Sequence, residues 1–144
     1  MSDFPYFDEL LGRFSGIPTV ADVFSRHVHW GLFDQEDYET VSAAEFVGAA
    51  ENMSRRLLKL SSISDGTSIL DVGCGFGGTS EMLAATFPAA KICALNIDPR
   101  QIEKARQRDA DGRITYVIGD ACDMVFEDAS FDRLIAVESV FHFP

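Results

Sequence analysis

A glycine-rich turn between a β-forming run and a helix-forming segment constrains this chain more than any other feature. It reads Ser68-Ile-Leu-Asp-Val-Gly-Cys-Gly-Phe-Gly-Gly-Thr-Ser80, with residues 69–72 entering a cluster at Gly73, Gly75, Gly77 and Gly78. Glycines reach positive φ and carry no Cβ, so the backbone can turn sharply and approach a ligand closely, while the following helix offers free N–H groups. Asp71 adds a carboxylate two residues before the first glycine. The pattern predicts a strand–turn–helix that holds a ligand, whose identity must come from elsewhere in the chain.

Around this turn, apolar strands alternate with helices. Ser42-Ala-Ala-Glu45 forms a capping box, and Phe46, Ala50, Met53, Leu57 and Leu60 follow at helical spacing, which predicts one amphipathic helix running to about Leu60. Asp65-Gly66 turns the chain into strand one, residues 79–87 read as a helix stopped by Pro88, and residues 91–97 as a buried second strand. Asp98-Pro99 is an N-cap followed by proline at the first helical position, with Ile102 and Ala105 facing inward. Residues 114–118 form strand three and residues 131–137 strand four. The expected fold is α/β, a Rossmann-like open parallel sheet with flanking helices. It comprises an N-terminal helical and aromatic arm, 1–41, and a core, 42–144. In the arm, Phe4, Tyr6, Phe7, Phe14, Phe24, Trp30 and Phe33 either cap a core or line a pocket, and Leu10, Leu11 and Phe14 have helical spacing. No helix or strand is expected beyond strand four, so the sheet reads as unfinished at its C-terminal end.

Ligands of such sheets bind at the carboxyl ends of the strands, near the point where strand order reverses. Four clusters fall there: residues 71–75, Asn96-Ile97-Asp98, Gly119-Asp120-Ala121 and Glu138-Ser139. Gly73-x-Gly75-x-x-Gly78 also satisfies the dinucleotide fingerprint, which keeps a nicotinamide-dependent enzyme open. The Gly119-Asp120-Ala121 cluster, suited to an adenine's amino group and ring edge, counts against it.

Composition narrows the partners. The net charge of −11 with no basic block argues against nucleic acid. No apolar run approaches the ~20 residues of a membrane span and the N-terminus lacks a signal-peptide pattern, so the expected location is cytoplasmic. Cys74, Cys93 and Cys122 show no paired spacing and are expected as buried reduced thiols, with no metal site.

Taken together, the motifs resemble those of class I S-adenosylmethionine-dependent methyltransferases. Ile69-Leu-Asp-Val-Gly-Cys-Gly-Phe-Gly-Gly78 is similar to their glycine motif, Leu95-Asn-Ile-Asp-Pro-Arg-Gln101 to their second-strand segment, and Gly119-Asp-Ala121 to their adenine segment. Phe126-Glu-Asp-Ala-Ser-Phe-Asp132 resembles the stretch leading into strand four. His27-Val-His-Trp-Gly-Leu-Phe33 and Glu138-Ser-Val-Phe-His142 resemble the small-molecule branch, which includes sugar O-, sterol C- and amino-acid N-methyltransferases.

The resemblance implies S-adenosylmethionine as cofactor, S-adenosylhomocysteine as product and methylation of a small-molecule acceptor, with O-methylation favoured. It implies that Gly73 and Gly75 admit the methionine part and that Asp71 orients it from beneath. Asn96 stands at the ribose hydroxyls, where the family more often has a carboxylate, with Gln101 on the ribose side. Ile97 packs on the adenine, Asp120 and the Ala121 amide read its edge, and Glu138 completes the cofactor set. His142 is the candidate base for an acceptor hydroxyl, His29 a weaker one, and Trp30 a residue closing over substrate. The family's further strands supply much of the acceptor pocket. A non-catalytic or split subunit is therefore the alternative, in which a partner chain or a second copy covers the edge of strand four.

Overall fold

The computed structural model describes Asp8, residues 23–34 and residues 41–143. The expected helical turn around Leu10, Leu11 and Phe14 lies outside them. Helix α1, Ala43–Leu60, begins at the capping box. Ser42 N–H donates to Glu45 Oε2 at 2.8 Å, and Glu45 N–H donates to Ser42 Oγ at 3.3 Å. Ala50 and Leu58 are buried, and Met53 and Leu57 pack against the same core. Leu60 corrects the expected stripe, being 65 % exposed. It shares the angular position of Met53 and Leu57 but is the last residue of the helix, next to the C-cap Ser61, where the packed stripe ends.

Strands β1 (Ser68–Val72), β2 (Lys91–Asn96), β3 (Ile114–Ile118) and β4 (Arg133–Ile135) form one parallel sheet in the order β3-β2-β1-β4. Asp71 pairs with Ala94 on one side and Ile135 on the other, which puts the glycine turn at the middle of the sheet's carboxyl edge. The order runs outward through β2 and β3, then returns to β4 beside β1. That return is the switch point at which a ligand crevice opens.

Side-chain alternation divides the core. Ile69, Ile92, Ala94, Ile114, Tyr116 and Ile135 share one cluster with Leu83 and Ala84 of α2 (Gly78–Thr86) and Ile102 and Ala105 of α3 (Pro99–Arg108). Leu70, Val72, Cys93 and Leu95 face the other way, packed by Phe126, Phe131 and Phe143. Phe126 and Phe131 meet edge to face at 5.0 Å. Among the described residues, the helices thus cover one face and loop aromatics the other. Cys74 and Cys93 are buried free thiols, whereas Cys122 is exposed, contrary to expectation.

β4 is shorter than the predicted 131–137. Among the described residues it pairs with β1 alone, and Asp132 closes its start by donating N–H to the Ser68 carbonyl and accepting the Ser68 N–H, both at 2.8 Å. After Ile135 the backbone leaves the sheet, reaches φ +49° at Glu138 and enters a 3-10 turn at Val140–His142, where no further element was expected. Departure from the ladder carries residues 137–143 over the strand ends.

Candidate functional site

A cavity of about 410 Å³ opens at the carboxyl ends of the strands. Gly73 and Gly75 form its floor at β1, Asn96, Ile97 and Gln101 its β2 side, Asp120 and Ala121 its β3 side, and Glu138 and His142 its β4 side. Most of the residues predicted as a site therefore converge. Leu95, Val137, Ser139, Phe143 and, from the N-terminal segment, Val28 also line it. Ser139 belongs to the strand-four cluster expected there; sequence reasoning did not single out Leu95, Val137, Phe143 or Val28, because their apolar side chains carry no chemical signal.

The floor requires glycine. Gly73 sits at φ +75°, and a Cβ there would lie 2.5 Å from Ser139 Cβ. Its N–H is already used, donating to the Leu95 carbonyl at 2.8 Å. The start of α2, expected to present free N–H groups to the ligand, is instead covered. A Cβ on Gly78 would meet the Arg26 carbonyl at 2.6 Å and the His27 ring at 2.7 Å.

On the β2 side, Asn96 and Gln101 form a buried amide pair. Asn96 Nδ2 donates to Gln101 Oε1 at 2.7 Å, and Gln101 Nε2 is buried with no partner among the described residues. An unpaired buried donor is costly, and this one belongs to a residue of the cavity wall, which points to a ligand acceptor on that side. Asp98 is 1 % exposed and does not line the cavity. Burial pushes its carboxyl up, but hydrogen bonds from the Arg100 side chain and N–H outweigh that and hold it low. Arg100 also pairs with Asp8 at 2.7 Å. Strand two thus offers the cavity amides and no carboxylate.

At β3, Asp120 lines the cavity while its Oδ1 accepts the Cys122 N–H at 2.8 Å. At β4, His142 lines the cavity with its ring against Phe141, centroids 4.4 Å apart. Glu138 Oε2 accepts the Trp30 N–H at 2.8 Å. The Trp30 side chain is 67 % exposed, rests edge to face on Phe46, and is absent from the lining.

Asp71 and His29 are not in this cavity's lining. They border a chamber of about 30 Å³ behind the turn, with His27, Cys74 and Thr79, and Gly73 and Gly75 separate the two spaces. Asp71 is 1 % exposed, and Ser80 Oγ donates to its Oδ2 at 2.6 Å. Burial raises its carboxyl to about 6 against the pull of that bond. His29 Nδ1–H donates to the Trp30 carbonyl at 2.7 Å, and its Nε2 stands 3.4 Å from Ser54 Oγ. Both ring nitrogens of His29 are thus engaged away from the cavity, which removes the geometric basis for the weaker base candidate.

His27, the other histidine of the pair, has both ring nitrogens buried without a partner among the described residues, and its ring meets that of His29 at 5.0 Å. Burial, then the neighbouring His29, pull its pKa from 6.5 down to about 3. A group depressed in this way binds a proton in the unfolded chain before the folded one. Its stability contribution is therefore whole above pH 6.5 and falls as the pH drops toward 3. His27→Phe is expected to lose that acid slope, read from urea unfolding between pH 7 and 4; an unchanged slope would place it on other groups.

A protein-family profile described as "Methyltransferase domain" matches residues 69–144. Methyltransferase GfsG of Streptomyces halstedii is 32% identical over 126 residues, which are 85% of this chain and 44% of that protein. O-methyltransferase cnsE of Penicillium expansum is 33% identical over 128 residues, covering 86% of this chain and 45% of that protein. This chain thus spans a little under half the length of these relatives. Among solved structures, geranyl diphosphate C-methyltransferase of Streptomyces coelicolor A3(2), crystallised with S-adenosyl-L-homocysteine, superposes with TM-score 0.69. It is 19% identical, with 83% of this chain and 49% of that one covered, a likeness of fold.

Proposed function

We infer the function from family membership: this chain belongs to the methyltransferase domain family, and its strand-end cavity is read as the cofactor site for small-molecule methylation. The cofactor is S-adenosylmethionine and S-adenosylhomocysteine is the product. O-methylation is favoured, in keeping with the name of the Penicillium relative, while the Streptomyces structure is of a C-methyltransferase.

The observation that carries this reading is the buried Gln101 Nε2, unpartnered among the described residues, in the wall of a cavity whose floor at Gly73 excludes a Cβ. A nucleoside fits that donor set. Gln101 Nε2 would donate to a ribose hydroxyl and Asn96 Oδ1 would accept from one. Ile97 would flank the adenine, with Asp120 and the Ala121 amide at its edge. Gly73 and Gly75 would admit the amino-acid part, whose positive ammonium Asp71 would attract from the chamber behind. When bound, the cofactor supplies a methyl group already activated by the sulfonium charge. The protein's part is then to align the acceptor and, for a hydroxyl, to remove its proton. His142 at the rim is the candidate for that transfer.

Residues 1–41 form the arm side of this reading and 42–144 the core; Val28 is the arm's contribution to the cavity wall. The outer edge of β4, where Leu134 is 59 % exposed, has no pairing strand among the described residues and would suit a second copy or a partner chain. No helix of the described residues is long and apolar enough to cross a membrane, and free thiols suit a cytoplasmic setting.

Calorimetric titration of the chain with S-adenosylhomocysteine tests the cofactor assignment. The expected result is one site with a micromolar dissociation constant, weakened about tenfold in Gln101→Ala by loss of the ribose bond. No heat at millimolar ligand, or saturation by NADH in its place, would overturn it.

A further inference from the structure

The stretch from Ser25 to Leu32 belongs to no helix or strand, yet through Val28 it contributes to the cavity wall. Its moorings fall into two groups. Arg26 pairs with Glu81 of α2 at 2.9 Å and Glu51 of α1 at 3.3 Å, the His27 ring packs on Gly78, and Leu32 N–H donates to the Ala49 carbonyl at 2.8 Å. All of these hold it to the helical layer. On the opposite side, the Trp30 N–H donates to Glu138 Oε2, which ties the segment to the chain leaving β4.

Between these two sides lies Val28, which lines the cavity; its Cγ2 stands 3.3 Å from where a Cβ on Gly75 would be. Glu138 occupies a conformation rare for a side-chain-bearing residue, φ +49°, next to Ser139, whose Oγ is fixed on the Val72 carbonyl at 2.7 Å. Such a conformation persists where its surroundings hold it, and here a carboxylate–amide bond across the cavity wall is among them.

We propose that Glu138 is a positioning residue. By accepting the Trp30 N–H it fastens residues 28–31, and with them the Val28 side chain in the cavity wall, and sets how quickly the nucleoside ligand leaves. This role replaces direct contact between the Glu138 carboxylate and the cofactor, and its ligand arm rests on the cofactor reading above.

The test compares Glu138→Ala with Glu138→Gln, whose amide oxygen still accepts an N–H. In the ligand-free chain, amide hydrogen exchange at residues 28–31 is expected to quicken about tenfold in Glu138→Ala and to stay within about twofold of the parent in Glu138→Gln. Stopped-flow release of S-adenosylhomocysteine, followed by the fluorescence of Trp30, the chain's one tryptophan, is expected to quicken about five- to tenfold in Glu138→Ala alone. Melting temperatures should change little, because Arg26 and Leu32 still moor the segment.

Unchanged exchange in Glu138→Ala overturns the latch. So does equal loss of ligand in both variants, which would mean that the carboxylate itself meets the cofactor. If the parent chain binds no S-adenosylhomocysteine, the cofactor reading falls and the exchange arm still decides the latch.

Discussion

Replacing Gly73 by alanine is expected to destabilise the chain by about 3 kcal/mol and to abolish S-adenosylhomocysteine binding. Two independent costs add at this residue. An alanine at φ +75° is held in the left-handed region, at about 1–2 kcal/mol. Its Cβ would also stand 2.5 Å from Ser139 Cβ and 2.9 Å from Ser139 Oγ. Ser139 cannot step aside freely, because its hydroxyl holds the Val72 carbonyl and the residue is 8 % exposed. Overpacking of that kind costs about a further 1–3 kcal/mol.

Gly66→Ala is the matched control, since Gly66 has φ +86° and open space around its missing Cβ. It should cost the backbone part alone, roughly 1 kcal/mol. Urea unfolding of both variants separates conformation from contact, and calorimetry reads the ligand. If Gly73→Ala is no worse than Gly66→Ala, the contact with Ser139 does not carry the effect assigned to it.

Asp71→Asn is expected to make the ligand-free chain more stable at pH 8 while weakening S-adenosylhomocysteine binding at least tenfold. Burial raises the Asp71 pKa from 3.8 to about 6, so the folded chain holds this proton after the unfolded chain has released it. Stability therefore falls as the pH rises through that window, and above it the ionised carboxylate costs about 3 kcal/mol. Asparagine removes the charge, and its oxygen can still accept the Ser80 hydroxyl. Its buried NH₂ offsets part of the gain, leaving about 2 kcal/mol at pH 8 and little or nothing at pH 4.

The profile adds a second check, because His27 works in the opposite sense. Between pH 6 and 4, protonation of Asp71 steadies the parent chain while the depressed His27 pKa weakens it. The variant keeps only the second effect, so its stability should fall more steeply with acid. A variant less stable than the parent at pH 8, or one with an unaltered slope, would show that Asp71 is better solvated than its burial implies.

The positions read most fully from sequence are those governed by neighbouring residues. Ser42 and Glu45 close their capping box, Asp98 caps α3 through the Arg100 N–H at 2.8 Å, and β3 spans the predicted residues. Asn96, Asp120 and Glu138 reach one cavity because each sits just beyond or at the end of a parallel strand, and strand ends share an edge. Leu60, Cys122 and the length of β4 were not legible in this way. Each depends on what lies beside it in space: for β4, one pairing neighbour and Ser139's bond back to β1.

The histidine pair shows the same division most sharply. His27 and His29 are two residues apart in one motif, and the motif alone does not say which ring is left unpaired. Ser54 from α1 and the Trp30 carbonyl engage one ring, while the bare backbone of Gly78 lets the other bury both nitrogens unpaired. The sequence alone determined the order of strands and helices and the glycine turn at their centre, because strand periodicity, caps and positive-φ demands act over a few residues. Only the tertiary structure decided that Asp71 lies behind the cavity, that Gln101 in its wall keeps a buried unpaired donor, and that Glu138 accepts the Trp30 N–H. Burial and hydrogen-bond partnership are set by contacts between segments far apart in the chain.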